Sequence, residues 1–197
     1  MATARATARA AAAEREGRAS HSGYSRVAIA LHWTIAVLIL GNIAGALVAE
    51  RLGDAAEAWI FSVHKSVGLT VLALSLVRLG WRVGHGFPRL PDRTPGWDAV
   101  LARSTHVAFY FLMIAVPLAG WAMVSAGPRP LHWFWLFDVP KLPVSRALAG
   151  AAHEAHELLA FATLALAVLH VAGALKHYLV DRDDVLQRML PLVRRRA

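Results

Sequence analysis

Four long apolar stretches, separated by short polar or turn-forming links, divide the chain. They run from about Val27 to Ala49, Ala58 to Trp81, Ser104 to Ser125 and His153 to Leu179. Each reaches the roughly 20 residues a helix needs to cross the hydrocarbon of a bilayer. The pattern predicts an all-α, integral membrane four-helix bundle. Gly41 and Gly45 form a GxxxG pair in the first span that permits close approach of a helix or a flat cofactor. Pro117 predicts a kink in the third. Arg51 to Glu57 is a short polar link, and Arg82 to Arg103, with Pro88, Pro91 and Pro95 among glycines, is a turn-rich connector. The link Ala126 to Leu148 carries His132, Trp133, Phe134, Trp135 and Phe137, rings that suit a membrane interface.

The ends lie outside this pattern. Residues 1–23, rich in Ala and Arg and lacking the apolar core of a secretory signal, read as a disordered cytoplasmic tail, with an Arg-rich transit peptide as the rival reading. Residues 24–191 form the four-span unit and 192–197 a basic C-terminal tail.

Composition strengthens the membrane reading. Hydrophobic residues make up 57% of the 197 and charged ones only 17%, against a usual value of about 25%. A soluble bundle would return that missing charge on its outward faces. With no cysteine, disulfides, iron–sulfur clusters and thiolate metal sites are excluded, so a metal must be held by His, carboxylate or Met. The net charge of +8 does not point to nucleic acid, because the basic residues sit between apolar runs instead of forming a stripe with stacking aromatics. Sixteen of the 21 lie on the side of the two termini and the second link, which places both termini in the cytoplasm.

That orientation orders the ten histidines. His156 and His170 are 14 residues apart on one helix, within roughly 40° of one face and separated by about 21 Å. His32, early in the first span, falls at the depth of His170; His64, early in the second, falls at the depth of His156, with Gly68 one turn later leaving room for something planar. Ionisable groups inside a span are costly and mark function. Two His pairs at two depths are what two stacked bis-histidine haems require. His153 is an alternative to His156, but lies roughly 100° round the helix from His170. His106 and His177 are placed to meet haem propionates or a quinone, with helix-end packing as the alternative, and His21, His85 and His132 read as solvated or interfacial. The segment HEAHE fails as a zinc-protease motif because its histidines are three residues apart. A haem-free, proton-linked transporter-like bundle is the reading from another class, although relays usually include an acid within a span.

Particular residues also carry a resemblance. Tyr24-Ser25-Arg26, His32-Trp33, His64 with Gly68, Arg78 with Arg82, the segment His106 to Trp121, His156-Glu157-Leu158 with His170, and Asp183 to Pro191 together resemble the bacterial cytochrome b561 family. The resemblance covers Tyr24 to Pro191. It implies a di-haem b electron carrier of the inner membrane, with His32, His64, His156 and His170 as axial ligands. The basic inner rim, Arg26, Arg78, Arg82, Arg103 and Lys176, then offers candidate partners for the haem propionates, with topology as the alternative role. It further implies exchange with ubiquinone and with an outer-face partner. Among small members, the superoxide:ubiquinone oxidoreductase type is nearest in length and end motifs, and others serve as cytochrome b subunits of periplasmic redox enzymes.

Overall fold

A computed structural model describes residues 24–85 and 96–190. The expected tails, residues 1–23 and 192–197, lie outside the described residues, as do the three connector prolines. Four long helices follow one another: α1 (Arg26–Ala49), α2 (Asp54–His85), α3 (Gly96–Ser125) and α4 (Arg146–Lys176). All four are long and apolar enough to span a membrane. Their ends overrun the apolar stretches that announce them, since α2 begins at Asp54 and not Ala58, and α4 at Arg146 and not His153. Polar residues can extend a helix beyond the hydrocarbon, and here they suit its ends. Ser25 and Ser145 cap α1 and α4 by accepting from Ala28 N and Leu148 N, each at 3.2 Å. Asp54 and Glu57 occupy the first turn of α2, and Arg82 and His85 its last, as the helix dipole favours. Pro117 lies inside α3, which continues through it.

The helices pack in sequence, α1 on α2, α2 on α3 and α3 on α4, while α1 and α4 meet less closely than these neighbours. Mid-bundle, Ile35, Val71 and Met113 form a buried cluster, with Phe109 and Tyr110 packed against it. Large apolar side chains elsewhere face outward: Val37, Phe111 and Leu169 are 66, 62 and 67% exposed. Lipid is the natural solvent for such faces, so helix association rests on close packing and interhelical hydrogen bonds. Gly45 serves the first: a Cβ built there would touch Ile60 of α2 at 3.6 Å.

Two short segments close the ends. Beyond α3 the aromatic link folds as a hairpin, β1 (Leu131–Trp133) antiparallel to β2 (Phe137–Val139), an element the residue pattern did not announce. Ser66 Oγ accepts from Phe134 N at 2.9 Å, and lies 3.1 Å from Ser62 O and 3.3 Å from His132 O, so its one hydrogen is shared between two carbonyls. Trp133 Nε1 donates to Thr70 Oγ1 at 3.0 Å. These bonds hold the hairpin on α2. At the other end, a π turn (His177–Asp181) and the short helix α5 (Val185–Met189) return toward α1, where Trp33 Nε1 donates to Met189 O at 2.8 Å. The bundle thus has a hairpin side and a termini side.

Candidate functional site

The interior contains two pairs of histidine rings. On the hairpin side, His64 of α2 and His156 of α4 have centroids 6.0 Å apart at an interplanar angle of 72°. On the termini side, His32 of α1 and His170 of α4 are 6.2 Å apart at 66°. Such separations leave room for one metal ion between two imidazoles when each metal–nitrogen bond is about 2 Å.

The hairpin-side pair is held by backbone. His64 Nδ1 lies 3.3 Å from Asn42 O and His156 Nδ1 lies 2.9 Å from Val116 O. A carbonyl only accepts, so each contact places the ring proton on Nδ1 and leaves the Nε2 lone pair available to a metal. Asn42 completes a two-way clasp by donating Nδ2 to His64 O at 3.2 Å. The ring of His156 reaches Val116 because α3 carries glycine one turn further on. A Cβ built at Gly120 would stand 3.0 Å from both His156 Cε1 and Nδ1. Nothing lies within 4 Å of a Cβ at Gly68, so the face of α2 beside His64 has open space. A groove of about 250 Å³ between α1 and α2 at this level is lined by Gly41, Asn42, Gly45, Trp59 and His64 among others.

The termini-side pair has different neighbours. Arg78 Nη1 lies 3.1 Å from His32 Nδ1, and a guanidinium only donates, so Nδ1 is the acceptor there. That ring must give up its Nε2 proton to bind a metal while facing the Arg78 charge. His170 is approached by His106 at 6.0 Å and by Phe109 at 5.4 Å. Ring distance does not separate His32 from His106 as the partner of His170. Helix packing does bear on it, because α3 lies tightly along α4 whereas α1 and α4 leave the space between them less filled. His177 is engaged elsewhere: its Nδ1 is 2.7 Å from Asp183 Oδ2 and 3.2 Å from Asp181 Oδ2, beside the π turn. His153 is exposed and lies 3.8 Å from Glu154, away from both pairs.

The chain matches the prokaryotic cytochrome b561 family over residues 23–192. It is 34% identical over 172 residues to "Cytochrome b561 homolog 2" of Escherichia coli (strain K12), covering 85% of this chain and 90% of the relative. The chain belongs to the prokaryotic cytochrome b561 family. "Cytochrome b562" of Cereibacter sphaeroides is also 34% identical, over 174 residues, with 85% of this chain and 95% of that protein covered. "Probable superoxide oxidase CybB" of Yersinia pestis is 27% identical over 171 residues, with 87 and 97% covered. Members of this family are haem b proteins of membrane electron transport.

The residues present fit such a group. The fixed Nδ1–H tautomers of His64 and His156, and the cradle that a Cβ at Gly120 would fill, suit an axial imidazole. The residue pattern gave no role to Asn42 or to Gly120. Asn42 had a usable signal as an amide inside an apolar span; Gly120 gained meaning only when His156, 36 residues away, was placed against it.

Proposed function

We propose that this family member carries electrons across the bilayer through two b haems, one held by His32 and His170, the other by His64 and His156. The observation that carries this reading is the pair of ring-to-ring separations, 6.2 and 6.0 Å, at two depths of one bundle. Haem b held by these imidazole pairs would supply reversible one-electron chemistry. The protein positions and insulates: Asn42 and Val116 fix the tautomers on the hairpin side, Gly120 admits the ring, and the apolar cluster Ile35, Val71 and Met113 separates the two levels. Arg78 and His106 supply the polar surroundings of the termini-side haem and its propionates. Both termini are cytoplasmic in this reading and the hairpin side faces outward.

The electron donor is superoxide at the hairpin side and the acceptor is ubiquinone. Two superoxide ions each lose one electron to become dioxygen, and the quinone takes up those two electrons with two protons to become quinol. The relative named as a superoxide oxidase favours this donor over a docked periplasmic redox protein.

Haem extraction and visible spectroscopy of the purified protein test the core of the proposal. Two haems per chain are expected, with b-type bands on reduction. His64→Ala and His170→Ala should each remove one haem and leave the other. A protein without b-type bands would be a haem-free bundle, and one haem per chain would end the two-level reading.

A further inference from the structure

The interior of the bundle contains two hydroxyls with no hydrogen-bond partner among the described residues. Ser75 is fully buried at 0% exposure, and its Oγ is unsatisfied; Tyr110 Oη is buried and likewise unsatisfied. Other hydroxyls in these helices take the local solution. Ser66, Thr70, Ser125 and Thr163 each donate to the carbonyl four residues back, at 3.1, 2.9, 2.7 and 2.8 Å. Ser75 does not, although Val71 O stands in the same relation to it. A buried polar group left unpaired is costly, so two of them at one depth of the bundle call for a ligand.

They do lie at one depth. Ile35, Val71 and Met113 touch in the mid-bundle cluster and so mark a common depth on α1, α2 and α3. From that depth toward the termini side, His32 is three residues away on α1, Ser75 four on α2 and Tyr110 three on α3, or roughly 4.5–6 Å in each case. Both hydroxyls therefore stand level with His32, on the two helices that do not supply the ligands of the termini-side pair. Arg78 follows Ser75 by three residues and contacts His32, and His106 precedes Tyr110 by one turn and approaches His170.

We propose that Ser75 and Tyr110 donate hydrogen bonds to a propionate of the haem held by His32 and His170, with Arg78 supplying the compensating charge. The inference rests on the reading that this pair holds a haem. Its chemical basis is that the propionates are the polar groups on the rim of haem b. A carboxylate accepts only, which matches two hydroxyl donors, and charge-assisted bonds of this kind are the stronger ones. Removing such donors concentrates negative charge beside the iron and disfavours the reduced state.

The test uses the haem-loaded protein in detergent, with Ser75→Ala, Tyr110→Phe and, as a control, Thr163→Val, whose hydroxyl is already satisfied by Leu159 O. Redox titration should resolve two one-electron components, of which the termini-side one is missing in His32→Ala. Ser75→Ala and Tyr110→Phe should lower the midpoint of that component alone and shift propionate carboxylate bands in the redox infrared difference spectrum. Thr163→Val should change neither. If both hydroxyl variants keep both midpoints and all carboxylate bands, the hydroxyls are mere buried orphans and the proposal is wrong. Melting temperature gives an independent sign, because deleting an orphan hydroxyl raises it while deleting a propionate donor lowers it. Wild-type protein with no termini-side haem would overturn the underlying reading itself, and is seen before any variant is made.

Discussion

A methyl group at position 120 would collide with the ring of His156 at 3.0 Å, closer than side chains pack. Gly120→Ala should push that imidazole off Val116 O, at an overpacking cost of about 1–3 kcal/mol. The expected result is loss or broadening of one haem component, with the other intact; equal spectra for Gly120→Ala and wild type would show that the ring can move without consequence. Gly41→Ala is the contrasting change, since nothing lies within 4 Å of a Cβ there, and it should be tolerated. Asn42→Leu removes the side-chain half of the clasp on His64, and about 1 kcal/mol of stability with it. The four histidines of the two pairs stood out in the residue pattern because an apolar background makes any imidazole conspicuous. Their supports did not, since a carbonyl such as Val116 O has no residue signature and a glycine shows its purpose only against its neighbour.

The helices were the readable elements and the hairpin was not. Stretches of twenty or more predominantly apolar residues admit few interpretations, but the hairpin turn is made by Phe134, Trp135 and Leu136, without the Gly, Asn or Asp that usually announces one. Phe134 and Trp135 adopt φ of 46° and 59°, a left-handed region that bulky residues rarely enter, so contacts from outside the turn must hold them. Ser66 is the principal hold, accepting from Phe134 N and sharing its hydrogen with His132 O. Ser66→Ala should therefore cost about 1–3 kcal/mol, because it leaves a backbone N–H of the turn unpaired. Thermal unfolding in detergent measures the loss, and protease should cut between residues 126 and 145 more readily than in wild type. Unchanged melting and cutting would mean that the Trp133–Thr70 bond suffices to hold the hairpin.

Across the whole molecule, the four spans among the described residues would put both termini on one side, and the distribution of basic residues expects that side to be cytoplasmic; reporter fusions at each terminus test it. The hairpin side would then meet superoxide, and its charge bears on how. Six carboxylates there, Glu50, Asp54, Glu57, Asp138, Glu154 and Glu157, stand against five basic residues, Arg51, Lys65, Arg129, Lys141 and Arg146. The face as a whole is thus close to neutral and gives an anion no long-range attraction. Lys141 Nζ is moreover engaged with Gly127 O. What remains is local: Lys65 adjoins His64 in sequence, so its ammonium acts within about one Debye length, roughly 10 Å at 0.1 M salt. Steering by one charge raises encounter modestly and is screened early. Rapid mixing of oxidised protein with superoxide should reduce the haems at a rate that falls several-fold in Lys65→Gln, and that declines only shallowly with salt in wild type and not at all in the variant. A rate that is slow in both proteins and indifferent to salt would remove superoxide as the donor and leave a docked redox protein to deliver the electron.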